Sequence, residues 1–128
     1  MKEDKFVLIT GAARRIGRSI ALAVARSGSD VIVHYGHSQS EAESVRAEIE
    51  TLGRKAILLQ ADLSQPAQVD RLIPRILEHG SLIALVNNAS IFENLDWNSA
   101  SLEDWNRHLM INLTAPFLLS QAFARALP

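Results

Sequence analysis

The sequence predicts an α/β protein folded as a doubly wound parallel sheet, and three observations carry that reading. Short apolar runs alternate with amphipathic helical segments along the 128 residues. The first run, Phe6-Val7-Leu8-Ile9, passes straight into a Gly-containing loop that opens a helical pattern. Polar residues stand just beyond other runs, at Asp62 and at Asn87-Asn88, where a parallel sheet presents its ligand edge. A run that is apolar at every position suits a strand covered on both faces.

Each element follows from local pattern. Ile16, Ile20, Ala23, Val24 and Ser27 fall at helical spacing, and Gly28-Ser29-Asp30 stops that helix. Val31-Ile32-Val33 is the second strand. Ser38 to Gly53 reads as a helix capped by Ser38 or Ser40, with Glu41 and Glu43 favouring its first turn. Ala56-Ile57-Leu58-Leu59 is the third strand. The helix from Pro66 to Gly80 carries Val69, Leu72, Ile73, Ile76 and Leu77 on its apolar face, and Pro74 is expected to kink or break it. Leu82-Ile83-Ala84-Leu85-Val86 is the fourth strand, and a polar loop spans Glu93 to Ser99. Ser101-Leu102-Glu103-Asp104 then opens a helical segment reaching Leu127, which Pro116 should kink or divide. Right-handed crossovers place helices on both faces and give the strand order 3-2-1-4, with a ligand crevice between strands 1 and 4.

Composition narrows the function classes. An apolar fraction of 48% supports a real core in one domain, residues 1–128. A net charge of −1 gives no reason to expect nucleic acid or an anionic membrane. Without cysteine there is no disulfide, thiolate metal site or Cys nucleophile. Met1-Lys2-Glu3-Asp4-Lys5 lacks the apolar core of a signal peptide, and no run approaches a membrane span, so a cytoplasmic protein is expected. His34, His37, His79 and His108 show no metal-ligand spacing, so no metal is expected; solvated or capping roles suit them better.

The loop Thr10-Gly11-Ala12-Ala13-Arg14-Arg15-Ile16-Gly17 is the strongest local signal. Gly11 permits a sharp turn, and Gly17 lets the first helical turn lie close to the strand and to a ligand. Unpaired N–H groups at the helix start would hold a phosphate. The spacing fits neither G-x-x-x-x-G-K-[ST] nor G-x-G-x-x-G, and a plain strand-to-helix turn remains an alternative. Asp62 suits either an adenine amino group or a helix cap. Asn87-Asn88 suits a strand bridge, a ribose contact or a simple Asx turn. Asn112, within Met110-Ile111-Asn112-Leu113-Thr114, is expected to be buried and to need partners.

Together Thr10-Gly11…Gly17, Ala61-Asp62-Leu63, Asn87-Asn88-Ala89 and Asn112-Leu113-Thr114 resemble the short-chain dehydrogenase/reductase family, in its order and spacing. Arg15 stands where that family's middle loop Gly would be, which resembles the pteridine-reductase branch. The resemblance implies a Rossmann fold. It places Gly11, Arg14, Arg15, Ile16 and Gly17 along the cofactor phosphates, with Asp62 and Leu63 at adenine. It also places Asn88, Ala89 and Ser90 along the cofactor site and makes Asn112 a catalytic residue. It further implies hydride transfer between NAD(P)H and a small carbonyl, alcohol or C=N substrate, in a homo-oligomer.

NADPH is the expected cofactor. After the second strand the chain reads His34-Tyr35-Gly36-His37-Ser38, with no carboxylate before Glu41 to favour a free 2′-hydroxyl. His37, Ser38 and Arg14 are therefore read as the 2′-phosphate end of the site. Ser90 and Phe92 resemble pteridine-reductase residues, with Phe92 offering a platform for a flat heteroaromatic substrate such as a pterin. Ordinary packing under the loop is the competing role for Phe92.

The family's Tyr-x-x-x-Lys pair has no match: the one tyrosine, Tyr35, is followed four residues later by Gln39. The expectation is the cofactor-binding N-terminal half of an NADPH-dependent oxidoreductase, inactive by itself. The competing class is a non-catalytic nucleotide-binding or interaction module.

Overall fold

The alternation of side chains along β1 (Lys5–Ile9) divides the fold into its layers. Phe6 and Leu8 point into one core and Val7 and Ile9 into the other, and all four are buried. In the computed structural model, which describes residues 3–128, β1 lies inside a four-stranded parallel sheet of order β3-β2-β1-β4. Met1 and Lys2, the start of the charged N-terminal run, lie outside the described residues. The other strands are β2 (Asp30–Tyr35), β3 (Ala56–Gln60) and β4 (Ser81–Val86). Registers such as Leu8↔Ile32 and Leu8↔Leu85 hold β1 between β2 and β4, with an irregularity against β4 between Phe6 and Val7.

Two helices cover each face. α1 (Arg15–Arg26) and α2 (Gln39–Thr51) pack Ala21, Ala25, Ala42, Val45 and Ile49 against Val7, Ile9, Val31 and Val33. On the opposite face α3 (Pro66–Leu77) packs Val69, Leu72, Ile73 and Ile76 against Phe6, Leu8, Ile32 and Leu59. The expected break at Pro74 does not occur: α3 runs through it, and Pro74 lies on the exposed side. Its missing N–H is therefore a loss at the solvent face rather than in the core.

After β4 a long irregular stretch leads to α4 (Leu102–Leu109), which opens with a reciprocal capping box between Ser101 and Asp104. The segment expected to be divided at Pro116 is divided one turn earlier. A π-helical stretch, Met110–Thr114, joins α4 to α5 (Ala115–Ala126), and Pro116 sits in the first turn of α5, next to this irregular turn. α5 packs Ala115 and Leu119 into the α3-side core. No helix among the described residues is long and apolar enough to cross a membrane.

Candidate functional site

Strands β1 and β4 are neighbours, whereas the chain leaves β1 toward β2 on the other side. A crevice opens at this reversal, beyond the carboxyl ends of both strands. Gly11, Arg14, Arg15, Ile16, Gly17, Asn88, Ala89 and Ser90 line a cavity there of about 290 Å³. The two sequence segments predicted to form one site, the glycine loop and Asn88-Ala89-Ser90, thus meet. A larger cavity of about 520 Å³, between Ser64 and Thr114, contains none of the predicted site residues.

Thr10 fastens the two strand ends together. Its buried hydroxyl accepts from the N–H of Asn88 at 3.0 Å and of Ala89 at 2.9 Å. It also reaches the carbonyl of Val86 at 3.4 Å. In return the Asn88 amide donates to the carbonyls of Thr10 at 3.1 Å and Gly11 at 3.3 Å. Asn88 is a strand bridge, one of the roles its position suggested. Asn87 instead donates across to the hydroxyl of Ser120 at 3.1 Å.

Contact requires glycine at Gly17, and backbone conformation together with a tight neighbour favours it at Gly11. Gly11 has φ +63°, and a Cβ on it would lie 3.1 Å from the Cα of Ala89. A Cβ on Gly17 would overlap the carbonyl oxygen of Gly11 and fall 2.6 Å from the Asn88 amide nitrogen. Arg15, in place of the family's middle Gly, has φ +53°, a left-handed conformation that glycine adopts without penalty.

The start of α1 carries no side-chain cap. Arg14, its N-cap residue, has extended backbone, and the first turn contains no acidic residue. The leading N–H groups therefore lack a side-chain partner, at the positive end of the helix dipole, and the residues of this turn line the cavity. Ile16 is exposed at the cavity mouth.

His34 departs most from expectation. It is not solvated but 2% exposed, on β2 beneath the glycine loop. Its Nδ1 accepts from the Gly11 N–H at 3.0 Å, and Nε2 lies 2.9 Å from the carbonyl of Ala61. These partners require the neutral ring with its proton on Nε2. Burial, reinforced by the charge of Arg75 and opposed by the Ala61 bond, pushes its pKa below the ordinary histidine value. The apolar run marks this strand only as far as Val33, whereas β2 continues to Tyr35 and its alternation turns His34 inward.

The second strand's end is also more occupied than the sequence implied. Arg14 is not a free cation: its Nε lies 3.2 Å from Oε2 of Glu41 in the first turn of α2. Ser38 occupies the N-cap of α2, but its side chain makes no capping bond. His37 is exposed and near enough to Asp62 to favour the ionised acid. Asp62 forms an Asx-type turn, with Oδ1 accepting from the hydroxyl of Ser64 at 2.7 Å and its N–H at 2.9 Å. Those two bonds hold its carboxyl below the usual range. Leu63 is buried in the α3-side core, so it offers a ligand only its backbone.

Asn112 is exposed rather than buried, in the middle of the π-helical stretch. Its partners are nonetheless specific. Oδ1 accepts from the Ile91 N–H and Nδ2 donates to the Ile91 carbonyl, both at 2.8 Å. One amide thereby mimics a strand partner and clamps the loop after Ser90. Phe92, next in that loop, is 90% exposed, so it is not a packing residue under the loop.

Fold and site together define a Rossmann-type protein with a crevice at the β1/β4 switch. The short chain dehydrogenase family model matches residues 5–128, and the chain belongs to that family. It is 41% identical over 119 residues to a 3-oxoacyl-[acyl-carrier-protein] reductase of Synechocystis, covering 92% of this chain and 48% of that protein. A short chain dehydrogenase from Burkholderia cenocepacia in complex with NADP superposes with TM-score 0.92 at 42% identity, covering 96% of this chain and 51% of that one. FolM alternative dihydrofolate reductase 1 from Brucella canis, complexed with NADP, gives TM-score 0.87 at 32% identity, covering 98% and 50%. The chain spans about half the length of the relatives it matches.

Proposed function

We propose that residues 1–128 form the NADP-binding domain of an NADPH-dependent oxidoreductase that reduces a small carbonyl or C=N substrate. The observation that carries this reading is the uncapped start of α1, facing a cavity between Gly11, Gly17 and Asn88. A pyrophosphate fits it because backbone N–H groups and the helix dipole converge there, and because Gly17 leaves room that any Cβ would fill. Gly11, Arg14, Arg15, Ile16 and Gly17 would hold the phosphates. Asp62 and Leu63 would border the adenine, His37 and Ser38 the 2′-phosphate, and Asn88, Ala89 and Ser90 the nicotinamide half. NADP and NADPH complexes of similar family members support that cofactor.

The bound cofactor would supply the hydride. This chain's own residues orient and enclose: Thr10 and Asn88 fix the crevice walls, and Asn112, as catalytic residue, sets the loop bearing Ser90 and Phe92. The exposed ring of Phe92 supports a flat substrate such as a pterin, as does the likeness to an alternative dihydrofolate reductase. Exposed Trp105, Leu113 and Phe117 support a homo-oligomer, which sedimentation velocity tests.

One observation favours a second reading, a nucleotide-binding module without turnover: Tyr35 has Gln39, not Lys, four residues later. A general acid with a pKa-lowering neighbour is absent from these residues, so we expect no turnover from this segment by itself. Spectrophotometric assays with dihydropterin precursors and simple ketones test both parts. Reduction by the 128-residue chain overturns the inactivity. Absence of NADPH binding overturns the oxidoreductase reading.

A further inference from the structure

Glu41 stands across the cofactor end of the site from the glycine loop. It is the one acidic residue in the first turn of α2, and its Oε2 lies 3.2 Å from Nε of Arg14. Both side chains are about half exposed, at 54% for Arg14 and 51% for Glu41. The pair joins two elements that meet only through folding, the glycine loop and the start of α2. It therefore places a carboxylate on the same guanidinium that the proposed function assigns to a 2′-phosphate.

We propose that Glu41 is a specificity-determining residue that competes with the cofactor 2′-phosphate for Arg14 and so limits the preference for NADPH over NADH. This rests on the NADPH reading above. The physical argument is one of shared charge. A phosphate near Arg14 brings close to two negative charges into the neighbourhood of the Glu41 carboxylate. The two anions repel, and Arg14 cannot give its full charge to both. An exposed ion pair is weak, so a phosphate can displace it, but the displacement is not free. A nucleotide with an unmodified 2′-hydroxyl carries no charge there and meets no such competition. Asp62 is also anionic near His37, but its Oδ1 is engaged by Ser64, whereas Glu41 is the carboxylate paired with Arg14 itself.

Titration of NADPH and NADH, followed by nucleotide fluorescence or calorimetry, tests this on the intact chain with Glu41→Gln, Arg14→Ala and the double variant. Glu41→Gln should tighten NADPH by about three- to tenfold and move NADH less than twofold. The gain should vanish in the Arg14→Ala background, because the coupling runs through that guanidinium. It should also shrink at about 1 M salt, where charges are screened within roughly 3 Å. Glu41→Lys should extend the gain. Circular dichroism confirms that each variant remains folded. If NADPH binding is unchanged or weaker in Glu41→Gln, the carboxylate orients Arg14 rather than competing for it, and the inference is overturned. If the unmodified protein shows no preference for NADPH, the reading of the site fails and takes this inference with it. A preserved preference with a neutral Glu41→Gln defeats the inference alone.

Discussion

The main-chain N–H of Gly11 donates to Nδ1 of His34 at 3.0 Å, so a buried imidazole supports the turn of the glycine loop from below. The same ring reaches the carbonyl of Ala61 through Nε2 at 2.9 Å. One side chain therefore ties the ends of β1, β2 and β3, the three strands whose loops border the proposed nucleotide.

That arrangement makes the fold sensitive to mild acid. His34 in the folded chain takes up its proton at a lower pH than an ordinary histidine, because burial disfavours the charged ring. Between its folded pKa and about pH 6.5 the unfolded chain binds more protons. Stability contributed by the neutral ring is thus complete above about pH 6.5 and declines as pH falls toward the folded pKa. Urea unfolding should therefore show lower stability at pH 5.5 than at pH 7.5, with this residue contributing to the difference. His34→Gln should start about 1–3 kcal/mol lower, through an imperfectly satisfied Gly11 or Ala61, and lose that pH step. An identical step in the variant would assign it to other groups.

Gly17→Ala should be far more damaging than an ordinary glycine substitution in a helix, which costs about 1 kcal/mol. The added methyl would collide with the backbone carbonyl of Gly11, which cannot swing aside, and press on the Asn88 side-chain amide, which is held by its bonds to the Thr10 and Gly11 carbonyls. Loss of more than about 3 kcal/mol by denaturant unfolding, with loss of nucleotide binding, is the expected outcome. A stable Gly17→Ala protein that binds NADPH normally would mean that α1 can move away from the strand ends.

Asn112→Ala removes both bonds to Ile91 while leaving a better helix former in the chain. The two exposed bonds should cost about 1 kcal/mol in total stability. The sharper readout is local: the Ile91 N–H should exchange with solvent markedly faster, because Oδ1 of Asn112 is its partner. Unchanged protection of Ile91 would show that the loop is held by something other than this amide.

The sheet order and the meeting of Gly11, Gly17 and Asn88 were legible because apolar runs, turn residues and right-handed crossovers are local signals with few global solutions. Four features were not. His34 carries no motif, and its burial depends on which way the last residues of β2 alternate. The Arg14–Glu41 pair links positions 27 residues apart, so its distance is set by tertiary packing. The π-helical turn around Asn112 arises from how α4 and α5 must join, which Pro116 hinted at but did not locate. Ser38 sits where a cap was expected yet makes no cap, leaving the start of α2 to Glu41.

The central claim is a nucleotide site whose 2′ end is read by Arg14. Its most direct test is a paired titration of NADPH and NADH against the unmodified chain and Arg14→Ala. A charge-assisted contact is worth about 1.5–3 kcal/mol, and each 1.4 kcal/mol is roughly tenfold. NADPH should bind more tightly than NADH, and Arg14→Ala should weaken NADPH on the order of ten- to a hundredfold with NADH nearly unchanged. Equal weakening of both cofactors, or a native preference for NADH, would contradict it.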